Sequence, residues 1–281
     1  MPSFDTPEPV SVTAHVSAGS IRYTASDRPD TLVDVHPRDP DKDQDVRAAE
    51  QTEVTYANGT LTIRTPRQRY VIARTGTVDV SVALPTGSHT DTTGSWTQVL
   101  AEGRLGETRV KTSTGDVHLD ATGPLHLTAS HGPVTINHIQ GPAEITTSSG
   151  SLRIGTIDGP AVLKNSHGTT TVHTVTGELR VNGANGDIDI EHATNSLTAT
   201  TAHGTLRVNH ATRGTLQLHT SHGAIDIGIH HDTATWIDAH SEHGQVHNTL
   251  ATTQPPHTTD DTLEIHARTR YGNINIHRAQ P

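Results

Sequence analysis

Five histidines stand directly before a glycine, in the pairs His131-Gly132, His167-Gly168, His203-Gly204, His222-Gly223 and His243-Gly244. Imidazole ligates metals and changes charge near neutral pH, so histidines that recur at one structural position could form a metal site or a proton-sensitive stack. His203, His222 and His243 are the candidate ligands for a divalent ion, on the expectation that they fall on consecutive repeats. A second, looser set, His192, His210 and His230-His231, falls near the opposite turn. The plainer reading is that histidine fills a polar turn position that Thr114, Ser149 and Asn185 fill elsewhere. No cofactor is expected.

Carboxylates offer the other candidate chemistry. Asp189 and Asp226 occupy equivalent places in two segments, and Arg207 occupies the same place between them. A catalytic carboxyl pair needs one member held protonated, and an intervening guanidinium opposes that. Opposite charges stacked between strands contribute about 0.2–1 kcal/mol each, so the trio reads as a surface ladder that fixes register. No nucleophile elbow, phosphate loop, HExxH motif or EF-hand loop is present. The adjacent Ser-His pairs lack a third group to orient them. The chain is therefore read as non-catalytic, with a β-helix polysaccharide-active enzyme as the third-ranked alternative.

These residues are spaced by a repeat. Gly115, Gly132, Gly150, Gly168, Gly186, Gly204 and Gly223 follow at intervals of 17, 18, 18, 18, 18 and 19 residues. A second series, Gly123, Gly141, Gly159, Gly177, Asn195 and Gly214, falls about halfway between. Aligned on this period, one half-repeat places Leu125, Ala143, Ala161, Leu179, Leu197 and Leu216 in one column. The other half places Leu119, Ile136, Ile154, Val172, Ile190, Val208 and Ile227 in another. Alternation of period two within each segment makes it a strand with one face inward. Equal intervals set like residues above one another, so the fold class is all-β: a β-solenoid, parallel β-helix-like, of two-strand coils about 18 residues long.

Each coil must reverse direction twice in two or three residues, and a residue that tolerates positive φ suits each reversal. Residues 1–93 are less regular and are expected to form an N-terminal β cap with lead-in strands; residues 94–281 form the solenoid, the two making one continuous structural domain. Within the cap, "VSVTAHVSAGSIRYTA" reads as a strand pair, "PRDPDKDQDVRAAEQTEV" as a polar excursion with room for a short helix, and "TEVTYANGTLTIRT" as a hairpin around Asn58-Gly59. After Gly228 the interval lengthens, "TTQPPHTTDD" forms a Pro-containing excursion, and "DTLEIHARTRYGNINIHRAQP" returns for a last coil.

Composition agrees with a thin core: 31% of residues are hydrophobic and 2% aromatic. The formal charge is −10 and the 20 Lys and Arg are scattered, which argues against a nucleic-acid partner. Cysteine is absent, which removes disulfides and thiolate chemistry. No apolar run is long enough to span a bilayer. The start, "MPSFDTPEPVSVTAH", has neither basic n-region nor apolar h-region; the expected location is the cytoplasm, with envelope association through a partner as the alternative.

The opening "VSVTAHVSAGSIRYTA", the lead-in "VDVSVALPTGS" and the repeated small polar pair, glycine and alternating apolars of "TSTGDVHL", "TSSGSLRI", "GANGDIDI" and "TSHGAIDI" resemble the adhesin-like β-strand repeat proteins of the bacterial domain-of-unknown-function 4097 (DUF4097) group. The resemblance covers nearly the whole chain. It implies a β-solenoid and frequent association with the cell envelope, and it supplies no catalytic residues. The expected function is a non-catalytic, adhesin-like scaffold that binds a protein or an envelope component. The alternative is a metal- or glycan-binding protein that uses the stacked turn histidines.

Overall fold

The structure, a computed structural model, describes residues 2–66, 76–231, 233–250 and 261–279. Contacts divide the chain into two compact units, Met1–Gln140 and Gly141–Pro281.

The first unit contains β1 (Ser3–Asp5), β2 (Ser11–Ser26), β3 (Asp30–Pro37), α1 (Asp43–Glu50), β4 (Glu53–Ala57), β5 (Thr60–Arg64), β6 (Val78–Pro85), β7 (His89–Arg104), β8 (Thr108–Thr114), β9 (Val117–Thr122), β10 (Leu125–His131) and β11 (Val134–Gln140). The stretch read as a strand pair is one 16-residue strand, β2, bent at Gly19, whose φ is +131°. At the bend the alternation slips, Ala18 and Gly19 are both buried, and the strand passes from one sheet to the other. Its first half pairs in parallel with β5 and its second half with β6, and its other edge pairs with β7 along both halves. The coil stack therefore already includes residues 11–26. It continues from β7 to β8 and β9, and from these to β10 and β11, always parallel.

The edge beyond β5 and β6 is closed by antiparallel strands, β4 on β5, β3 on β6 and β1 on β3. These antiparallel strands end the parallel ladder at this edge. The hairpin turns at Asn58 and Gly59, with φ of +50° and +75°, the two left-handed residues of a tight hairpin. The short helix forms as α1 and is tied down by buried Asp45, whose carboxylate accepts from the Thr77 amide at 2.7 Å. Tyr23 is the largest fully buried side chain among the described residues; its hydroxyl meets Thr92 Oγ1 at 2.7 Å, and burial holds the phenol well above its ordinary pKa.

The second unit contains β12 (Ala143–Ser149), β13 (Leu152–Asp158), β14 (Ala161–His167), β15 (Thr170–Val175), β16 (Leu179–Asn185), β17 (Ile188–Ala193), β18 (Leu197–His203), β19 (Leu206–Ala211), β20 (Gly214–His222), β21 (Ile225–Ile229), β22 (Thr233–His243), β23 (Val246–Asn248), β24 (Asp261–Tyr271) and β25 (Ile274–Arg278). Even-numbered strands from β12 to β20 stack in one parallel ladder and odd-numbered strands from β13 to β21 in another, each coil one repeat from the next. The two aligned apolar columns are buried throughout this unit, from Ala143 to Leu216 and from Ile154 to Ile227.

The last coils do not follow chain order. The final segment, β24 and β25, pairs with β20 and β21 on one side and with β22 and β23 on the other. It lies inside the stack, and the coil of residues 233–248 lies outside it. Core composition explains the exchange. The inward residues Leu263, Ile265, Ala267, Ile274 and Ile276 are all at most 2% exposed, whereas the matching positions of the outer coil are Thr235, Ile237, Ala239, Val246 and Asn248. The more apolar coil takes the place with two neighbours, where it loses more apolar surface to water. The Pro-containing excursion lies, apart from Asp261, outside the described residues.

Beside the turns of the second unit that carry the glycine series from Gly150 on, a buried polar column, interrupted at Gly183, runs parallel to the apolar ones. Thr147, Asn165, Thr201, Thr220 and Thr269 are each at most 3% exposed. Thr220 Oγ1 donates to the Gly204 carbonyl at 3.1 Å, Thr269 Oγ1 to Gly223 at 3.0 Å, and Asn165 Nδ2 to Gly150 at 3.1 Å. These bonds satisfy turn carbonyls that the ladder leaves without a partner inside the core.

Candidate binding surface

The turn column of the second unit reads, in stacking order, Ser149, His167, Asn185, His203, His222, Tyr271 and His243. The backbone pins each position: the amides of Gly186, Gly204 and Gly223 donate to the carbonyls of His203, His222 and Tyr271 at 2.8, 2.9 and 2.9 Å. The rings then have little choice but to stack. His203 and His222 lie 4.9 Å apart, His222 and Tyr271 4.9 Å, and Tyr271 and His243 4.6 Å, with planes within 18° of parallel. All four side chains are exposed.

This arrangement corrects the expectation that His203, His222 and His243 fall on consecutive coils: Tyr271 stands between His222 and His243, because β24 is inserted before β22. It also bears on the metal reading. Two nitrogens bound to one zinc at about 2.0–2.1 Å each lie at most about 4 Å apart. Rings stacked 4.9 Å apart and 10° from parallel direct their in-plane lone pairs side by side, not toward a common point. Among the described residues, no group of three or more His, Asp or Glu side chains is placed to hold a metal ion.

At the opposite turn the structure brings His192 and His210 together, stacked 4.5 Å apart, and adds two residues that the sequence reading passed over. His173 meets His192 edge-on at 5.5 Å, and its Nδ1 lies 2.7 Å from Glu191 Oε2. The hydrogen bond from His173 holds the Glu191 carboxyl below its ordinary pKa, and partial burial, followed by the neighbouring His210, pushes the His192 imidazole down. The signal was available, since 173 and 191 differ by one 18-residue repeat. Among the described residues no ring contact joins His230 or His231 to this set; the His230 amide donates to the Ala211 carbonyl at 3.0 Å and its carbonyl accepts from Arg278 at 2.8 Å.

Asp189, Arg207 and Asp226 stand in register on successive strands of one sheet. Arg207 lies 3.6 Å from Asp189 and 3.7 Å from Asp226, and His277 Nε2 lies 3.3 Å from the far side of Asp226. The trio is thus an ion-pair ladder along the stack, with its carboxylates about one-third exposed. No helix among the described residues is long and apolar enough to cross a membrane.

Residues 15–280 match the family model of Toastrack DUF4097. No curated protein matches the chain. Among solved structures, an adhesin candidate from Parabacteroides merdae is 15% identical, covering 80% of this chain and 93% of its own, with a TM-score of 0.45. An adhesin candidate from Bacteroides fragilis is 12% identical, covering 98% and 95%, with a TM-score of 0.32. A lipid-binding candidate from Parabacteroides distasonis is 10% identical, covering 99% and 96%, with a TM-score of 0.29.

Proposed function

The chain belongs to the Toastrack DUF4097 family, and from that premise we propose that it is a non-catalytic, adhesin-like β-repeat scaffold whose outer sheet faces bind another protein or a component of the cell envelope. The observation that carries this reading is the ladder of Asp189, Arg207 and Asp226. It pairs one outward charge from each of three successive coils with its neighbour. A site for acid-base catalysis needs one carboxyl held protonated, and both of these face the Arg207 guanidinium, with His277 a second basic neighbour of Asp226. What such a surface offers instead is a rigid grid of side chains repeating about every 4.8 Å along the stack, well suited to recognition.

The experiment is retention on immobilised protein. Isolated peptidoglycan, membrane vesicles and bacterial soluble protein are passed separately over the protein, and the bound fraction is eluted in high salt. One of the three is expected to be held reproducibly, with no new reducing ends released from any polysaccharide offered. Release of reducing ends that stops in Asp189→Asn or Asp226→Asn would replace the scaffold reading with an enzymatic one.

A further inference from the structure

A second feature of the outer surface lies in the second unit, beside the outermost coil. Trp236 is 57% exposed, although the chain has only two tryptophans. It borders a groove of about 730 Å³ lined also by Asn195, Arg213, Thr215, Asp261 and Glu264. The register that inserted β24 before β22 builds this groove, because it sets Trp236 beside Glu264 and Asp238 beside His266 on adjacent strands.

Several polar groups near the indole are already held in place. His266 Nε2 lies 3.0 Å from Glu264 Oε1, its Nδ1 lies 3.7 Å from Asp238 Oδ2, and Arg268 pairs with the same Asp238 oxygen. The Trp236 ring meets His266 at 5.3 Å, tilted by 60°, which restrains the indole while leaving most of it open. Arg213 is held by a 3.2 Å bond from Nε to the Thr194 carbonyl. Groups ordered before binding lose little freedom on binding.

The chemistry selects the occupant. A half-exposed indole presents a flat apolar face with a polar edge, and the face matches the C–H surface of a pyranose ring. Carboxylates accept from sugar hydroxyls, while the amide of Asn195 and the guanidinium of Arg213 can donate to them; such charge-assisted bonds are the stronger kind. The local charges, Asp238, Asp261 and Glu264 against Arg213 and Arg268, nearly cancel, which favours an uncharged ligand over a phosphate or an acidic sugar. The groove runs over side chains of β20, β22 and β24, whose backbones there pair with one another, so a peptide adding a strand would pair with the outer edge of β22 and lie beside the groove. We propose that this groove binds a neutral pyranose chain, with the Trp236 indole stacked on one sugar ring and Glu264, Asp261 and Arg213 hydrogen-bonded to hydroxyls. The proposal rests on the binding-scaffold reading and names an occupant for one of its surfaces.

The test is titration of the whole protein with cellohexaose, maltohexaose and chitohexaose, followed by calorimetry and by tryptophan fluorescence in a Trp96→Phe background. A sulfated oligosaccharide and a basic decapeptide serve as the competing ligand classes. At least one neutral hexasaccharide is expected to bind saturably. Trp236→Ala should weaken that binding about tenfold or more, Glu264→Gln should weaken it, Trp236→Phe should retain part of it, and Trp96→Phe should leave it unchanged. Circular dichroism and melting confirm that each variant is folded. The proposal is overturned if no neutral saccharide binds, if Trp236→Ala binds as well as wild type, or if only the sulfated sugar or the peptide binds. Retention of an envelope or protein fraction despite such a failure would leave the scaffold reading standing.

Discussion

His203 and His222 lie one coil apart with their rings 4.9 Å from centroid to centroid and 10° from parallel, and the next ring in line is that of Tyr271. The turn histidines thus form an aromatic strip set by backbone register. Zinc should therefore raise the melting temperature of wild type by no more than it raises that of the triple Asn variant at 203, 222 and 243. Thermal melts at about pH 7.5 with and without zinc decide this; a gain confined to wild type would mean that the rings leave the stack to ligate an ion.

The opposite turn gives the pH dependence. Burial, with His210 adding to it, lowers the folded pKa of His192. The unfolded chain, with imidazole near 6.5, then binds its proton more readily than the folded chain. The contribution is present above about pH 6.5 and is lost as pH falls through that value toward the folded pKa. His192→Asn should flatten the stability profile between about pH 7 and pH 5, measured by urea unfolding. An unchanged slope would remove His192 as its source. Glu191, whose pKa is lowered by His173, acts in a separate window, losing its contribution below about pH 4.5.

Ile190 is fully buried, in register with Val172 and Val208. Ile190→Asp places a carboxyl where no partner waits and should cost about 3 kcal/mol or more. Denaturant midpoints measure it, and a variant with the wild-type midpoint would refute the inward assignment of this column.

Gly168 has φ of +132°, and a Cβ there would lie 2.2 Å from the Gly150 carbonyl oxygen of the coil before it. Gly168→Val must move backbone and adopt a strained conformation, for a loss of at least about 1–3 kcal/mol. Thr171→Val, on the outward face of the following strand, should stay within about 0.5 kcal/mol. Equal melting temperatures for the two would show that the turn relaxes freely.

Much of this fold is legible in the sequence because a solenoid repeats its constraints: a buried column such as Leu179, Leu197 and Leu216 announces itself by recurring in phase. The ladder of Asp189, Arg207 and Asp226 was legible for the same reason. What escaped was whatever breaks the period. The bend in β2 hides as a run of small residues around Gly19, so one strand reads as two. The place of β24 depends on a comparison of two coils' inward residues, and chain order obscures it. Thr220 and its column look like ordinary turn polars; only the stacking shows that their hydroxyls face inward toward glycine carbonyls. The groove beside Trp236 exists only through the exchanged coil order, so no local motif marks it.

That exchanged order also shapes how the protein is made and lost. The segment 261–279 is synthesised after residues 233–248, yet it must settle between them and residues 214–229. Within the second unit, a chain emerging from the ribosome can add coils one at a time as far as Ile229. The coil of residues 233–248 must then wait for the last residues before it can dock. Once β24 and β25 are in place, they are clasped on both sides. Trimming β24 and β25 would strand the outer coil, whose described pairings are all with them.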